Sequence, residues 1–150
     1  MAERAPFQEL MQDLLGSTGA SRTTLRLDLT GRYSELDAVA AEALAPGVPS
    51  IRGATSIRNL RHSSTGRFLE EHRRPLVQND CLADDPTPPS ELIELYGVRA
   101  QMLAPLMSEG GLVGLISVHY DPGSREWNAE DIAALQEAAD RVQRELDEAV

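Results

Sequence analysis

The sequence predicts an α+β fold: an antiparallel sheet with the terminal helices on one face and shorter helices and loops roofing a pocket on the other. Three observations carry that expectation. Residues 101–120 form two apolar segments joined by Glu109, Gly110 and Gly111, the pattern of a hairpin. From Thr23 to Leu29 the chain alternates, with Leu25, Leu27 and Leu29 opposite Thr24, Arg26 and Asp28. That is the period of a strand with one apolar and one polar face. Both ends of the chain carry apolar residues three and four apart, the spacing of a helix face.

Each element follows from local chemistry. Phe7, Leu10, Met11, Leu14 and Leu15 predict a helix over residues 5–15, which the Gly16-to-Gly19 stretch should stop. The strand at 23–29 leads into a turn at Thr30 and Gly31. Residues 36–44 are alanine-rich, which favours a helix. Pairing back on the first strand favours a strand, and the strand is expected. Pro46, Gly47, Pro49 and Gly53 make residues 46–60 irregular. A helix at 64–71 turns Phe68 and Leu69 inward, and a short strand covers 75–80. After an acidic, proline-rich loop, Ser90 is positioned to cap a short helix at 91–96 that ends at Gly97. The hairpin at 99–120 follows. Asn128 and Asp131 are spaced as a capping box for the last helix, with Ile132, Leu135, Ala139, Val142 and Leu146 on its apolar face.

A chain of 150 residues favours one domain, spanning 1–150. Its net charge of -10 would be repelled by duplex DNA and by anionic membranes, so neither nucleic acid nor membrane is an expected partner. All 14 basic residues are arginine, whose planar fork suits carboxylate or phosphate. Cys81 is the single cysteine; it cannot form an internal disulfide and fits a reducing cytosol. The N-terminus has no apolar signal segment, and no run approaches the roughly 20 apolar residues of a spanning helix. A cytoplasmic location is expected.

The candidate site follows from the alternation. If the apolar sheet face packs on the terminal helices, Arg26, Gln101, Ser117 and His119 converge under the roof, with Thr24 beside them. An arginine together with amide, hydroxyl and imidazole groups suits a small anionic or amide-rich ligand. The competing reading is a solvated sheet face on which Arg26 and Asp28 make cross-strand pairs. Residues 51–75 hold six arginines, His62 and His72 against Glu70 and Glu71. A solvated helix surface accounts for most of them. Arg67 is the exception, as the first arginine of the roofing helix. A reactive thiol would need a nearby cation or helix start, and the residues after Cys81 are acidic, so a plain, partly buried thiol is expected. His62, His72 and His119 lack metal-ligand spacing, and no metal or cofactor is expected. Ser117 and His119 lie two apart on one strand face without an oxyanion element, so no catalytic residue is assigned. Trp127 reads as a packing residue.

Residues 75–80 (Pro-Leu-Val-Gln-Asn-Asp), 102–106 (Met-Leu-Ala-Pro-Leu), 111–118 (Gly-Leu-Val-Gly-Leu-Ile-Ser-Val) and 127–132 (Trp-Asn-Ala-Glu-Asp-Ile) resemble those of GAF domains, a small-molecule sensor fold. The resemblance spans nearly the whole chain and contains no catalytic signature. It implies a sheet of six or nearly six strands with a ligand pocket on one face. Members bind cyclic nucleotides, tetrapyrroles, haem or small metabolites, and many dimerise through their terminal helices. The departures narrow this list. The cyclic-nucleotide subset needs a lysine-containing motif, and this chain has no lysine. Bilin-binding members use a cysteine near a histidine, which Cys81 lacks. The free methionine sulfoxide reductases need at least two cysteines.

The expectation is a small-molecule-binding sensor, homodimeric through the terminal helices (Met11, Leu15 and Leu146 as candidate contacts if packing on the sheet leaves apolar surface exposed), that signals to a separate effector protein. The alternatives are a small enzyme using His119 as base beside Ser117 or Cys81, and a ligand-free accessory or dimerisation module.

Overall fold

The computed structural model describes residues 5–27, 39–52, 62–109 and 111–148. The elements are helix α1 (Ala5–Thr18), strands β1 (Arg22–Leu27) and β2 (Val39–Leu44), helix α2 (Ser64–His72), strand β3 (Leu76–Gln78), helix α3 (Ser90–Glu94), strands β4 (Ala100–Ser108) and β5 (Gly111–Tyr120), and helix α4 (Ala129–Glu148). The five strands described form one antiparallel sheet in the order β2-β1-β5-β4-β3. This is the expected α+β arrangement. Asp28, Leu29, Thr30, Gly31, residues 36–38 and Gly110 lie outside the described residues.

The alanine-rich segment is a strand over residues 39–44, because β1 supplies the partner: Leu25 sits opposite Ala41 and Thr23 opposite Ala43. Small side chains on β2 let α1 pack close above. Gln8 of α1 closes the outer edge of β2, donating to the Glu42 carbonyl at 2.7 Å and accepting from the Glu42 N–H at 3.2 Å. Gln143 of α4 treats the far edge of β4 the same way at Met107, accepting at 2.9 Å and donating at 2.7 Å. Each carboxamide occupies backbone groups that would otherwise invite another strand.

Helix α1 runs past its expected stop. Gly16 lies inside it, and Gly19, with φ of 63°, ends it by donating to the Leu15 carbonyl at 2.9 Å. A mid-helix glycine costs about 1 kcal/mol relative to alanine; burial of Met11 and Leu14 outweighs it. Ser90 does not cap α3: it is the first helical residue, and Pro89 holds the cap position without a side-chain hydrogen bond. The capping box of α4 forms as expected, the Asp131 N–H donating to Asn128 Oδ1 at 2.8 Å and the Asn128 N–H to Asp131 Oδ2 at 3.1 Å.

The two sheet faces carry separate cores. Leu25, Leu27, Met102, Ala104, Ile116 and Val118 pack with α1 and α4. At Gly114 the strands come so close that a Cβ would lie 2.7 Å from the Arg26 carbonyl oxygen. The opposite face meets Ile51, Leu69 of α2, Leu92 of α3, Cys81 and Val98. Helix α2 is pinned to the hairpin, Glu70 accepting from the Leu112 N–H at 2.8 Å.

Candidate functional site

Strand register assembles the site. On the roofed face, Gln78, Gln101, His119 and Arg22 are successive partners across β3, β4, β5 and β1. The neighbouring row runs Leu103, Ser117, Thr24 and Glu42, and beyond it Leu115 sits opposite Arg26. All these side chains are buried. The face is therefore not solvated, and the competing reading fails for Arg26, which is 2 % exposed.

Buried polar groups need partners, and the row supplies most of them internally. The Arg22 guanidinium donates through Nη1 to His119 Nδ1 at 3.0 Å and through Nε to the Pro49 carbonyl at 3.0 Å. Its Nη2 pairs with Asp121 at 3.4 Å, and its Cζ lies 6.0 Å from the centre of the Tyr96 ring. Gln101 Nε2 donates to Gln78 Oε1 at 2.7 Å, and Gln78 Nε2 to the Pro86 carbonyl at 2.6 Å. Among the described residues, Gln101 Oε1, His119 Nε2, Thr24 Oγ1 and Asp121 Oδ1 have no hydrogen-bond partner.

Charge state follows from this environment. Burial, then the cations Arg22 and Arg26, hold the His119 imidazole well below its ordinary pKa, so it is neutral. Burial raises the Asp121 carboxyl while Arg22 opposes that rise. Burial lowers the Arg22 guanidinium, with Asp121 and Glu42 opposing.

Arg26, Gln101, Ser117 and His119 line one cavity with Leu103 and Leu115 beneath and Ile51, Thr65 and Leu92 above. Its volume is about 20 Å³. Roughly 10–15 Å³ admits one water molecule, whereas ligand pockets span roughly 300–1,000 Å³. The expected hollow exists, but the second apolar core fills most of it.

Four of the six expected site residues thus share the cavity wall. Thr24 lies alongside, opposite Ser117 on β1, and is buried without lining the cavity. Arg67 stands apart: it is exposed, on an open outer groove with Phe68, Glu71, His72 and Asp85. It is the solvent face of α2 that carries Arg67, because Thr65, Gly66 and Leu69 take the inner one. Arg52, Arg73 and Arg74 are likewise exposed, and Arg58 and Arg61 fall outside the described residues. Sequence reasoning passed over Arg22, Gln78 and Glu42. Arg22 was within reach, since it precedes Thr24 and Arg26 by the same step of two.

Cys81 is buried in the roof core, and burial reinforced by Asp84 and Asp80 pushes its thiol up to about 12. It is buried more deeply than the partly buried thiol expected. No cluster of metal-ligating side chains occurs among the described residues. No described helix is long and apolar enough to cross a membrane. Trp127 packs in the helix-side core and donates from Nε1 to the Gln78 carbonyl at 3.1 Å. Met11 is fully buried in the same core and unavailable as a dimer contact, and Leu15 and Leu146 are partly buried there.

The same fold recurs in solved structures. A structure of the cyanobacteriochrome receptor PixJ superposes with a TM-score of 0.78 at 21 % identity, covering 98 % of this chain and 96 % of that one. The blue-light absorbing form of the Thermosynechococcus elongatus PixJ GAF domain gives 0.70 at 18 %, covering 97 % and 89 %. The chromophore-binding domain of a Stigmatella aurantiaca bacteriophytochrome gives 0.71 at 21 %, covering 93 % of this chain and 52 % of that longer one. No curated protein matches the chain. The GAF domain family matches residues 4–146. With that span matched and the sheet, hairpin and terminal helices in place, the chain belongs to the GAF domain family.

Proposed function

We propose that this chain is a sensor that takes a small polar or anionic ligand, without a covalent bond, against the Arg26, Gln101, Ser117 and His119 wall. One observation supports this above the others: Gln101 Oε1 and His119 Nε2 belong to neighbouring residues of that wall and have no hydrogen-bond partner among the described residues. A fold seldom leaves a buried acceptor and a buried nitrogen side by side unless something meets them. Arg26 adds a cation at the other end of the wall. Domains of like fold include that of the cyanobacteriochrome receptor PixJ and the chromophore-binding domain of the bacteriophytochrome.

A ligand larger than one water has to displace the roof, and Ile51 and Leu92 are the side chains in its way. Arg67, on the outer groove, would meet an anionic ligand only at the entrance. Opening the roof would be the signal that a separate effector protein reads in the cytoplasm. A homodimer would have to use the outer surfaces of α1 and α4, since Met11 is committed inside.

Native mass spectrometry of gently purified protein tests the reading, with identification of any small molecule released on denaturation. A retained small molecule is expected. Gln101→Met and Ser117→Ala should each weaken its rebinding by about tenfold. A protein that carries nothing, and whose Tm no member of a polar metabolite panel raises, would refute the proposal.

A further inference from the structure

Arg22 reaches several segments around this wall. It reaches His119 on β5, the Pro49 carbonyl in the segment after β2, Asp121 beyond β5 and the Tyr96 ring after α3. A guanidinium has only donors. The 3.0 Å contact therefore makes His119 Nδ1 an acceptor and places the single imidazole proton on Nε2, the atom with no partner among the described residues. The Pro49–Ile51 strap is held from the same face of the sheet. Glu42 accepts from the Ile51 N–H at 2.9 Å and from the Ser50 hydroxyl, and Ile51 covers the cavity.

We propose that Arg22 is the positioning residue of this site: it fixes His119 as the Nε2–H tautomer, which offers the cavity a donor beside the Gln101 acceptor, and it clasps the strap so that donor and roof move together. The proposal rests on the reading of the wall as a binding site, but its geometry exists without ligand. The charged groups around His119 agree with it: Arg22 and Arg26 come from β1, and Glu42 and Asp121 are drawn towards Arg22. A second proton on the imidazole would place an N–H against the guanidinium.

Nitrogen-15 NMR of histidine-labelled, ligand-free full-length protein at pH 7 is the test, with His62→Gln and His72→Gln variants to assign the signals. His119 should show the neutral Nε2–H pattern with a hydrogen-bonded Nδ1. An Nδ1–H or doubly protonated ring overturns the proposal without any variant being made. In Arg22→Met/Asp121→Asn, which removes both charges together, the ring should show the average of an unheld imidazole. Amide exchange at Ile51 should rise about tenfold or more. Wild-type ring shifts and wild-type exchange in that variant overturn it as well. Because no readout uses a ligand, failure here removes the role of Arg22 and leaves the binding reading standing. A protein that binds nothing but passes these tests does the reverse.

Discussion

The two faces of the sheet are buried to almost the same depth by opposite means. Beneath α1 and α4, Leu25, Met102, Ile116 and Val118 are at most 0 % exposed and need only close packing. On the roofed face, Arg22, Gln78, Gln101 and His119 are at most 1 % exposed and depend on one another for hydrogen bonds. An apolar face tolerates imperfect partners and loses energy by leaving voids. A polar face pays in desolvation for each missing partner. The helix side is built to hold the fold, and the roof side to hold groups in defined states.

That contrast can be broken at its strongest point first. Ile116→Ala should cost about 4 kcal/mol in urea unfolding by leaving a cavity under the helices. A loss below about 1 kcal/mol would show that this face is not the main source of stability. On the other face, Arg22→Met strands Asp121 and should cost about 3 kcal/mol. Adding Asp121→Asn should recover part of that loss, and strict additivity of the two changes would sink the coupling between them.

The pH dependence separates the faces further. The folded His119 stays neutral well below its ordinary pKa of 6.5, whereas the unfolded chain takes up a proton there. The unfolded state then binds more protons, so stability is full above 6.5 and falls by about 1.4 kcal/mol per pH unit below it. Asp121 acts with the opposite sign: its raised pKa lets the folded state take a proton first, adding stability as the pH falls towards 3.8. Denaturation of wild type and His119→Gln between pH 5 and 8 isolates the histidine share. An unchanged slope would mean that the folded imidazole is already charged.

The smallest effect concerns the roof core. With its thiol pushed up to about 12, Cys81 should react with iodoacetamide at pH 8 only as fast as the protein opens. Cys81→Ala should leave ligand affinity unchanged. Rapid labelling of the native protein would mean the roof is far looser than its packing implies.

Much of the fold was legible because strand and helix periods depend on neighbouring residues alone. The alternation of Thr24, Leu25, Arg26 and Leu27 already sorts side chains between the faces. The β4–β5 pattern does the same for Gln101, Ser117 and His119. Asn128 and Asp131 announce the start of α4. Arg67 was misplaced because helical spacing says that a residue is on α2 but not which way α2 faces; Leu69 and Thr65 settle that by burial. Ser90 looked like a cap because its chemistry suits one, yet it is the first helical residue and Pro89 holds the cap position.

By itself, then, the sequence determined the α+β class, the strand faces, the hairpin and the identity of four residues on the cavity wall, all properties of period and local chemistry. Tertiary structure decided the rest. Register across four strands put Gln78, Gln101, His119 and Arg22 in one row. Packing of Ile51, Leu69 and Leu92 shrank the hollow to about 20 Å³. Such contacts join residues far apart in the chain, Arg22 and His119 being 97 positions apart, and no local pattern encodes which distant partner a buried donor will meet.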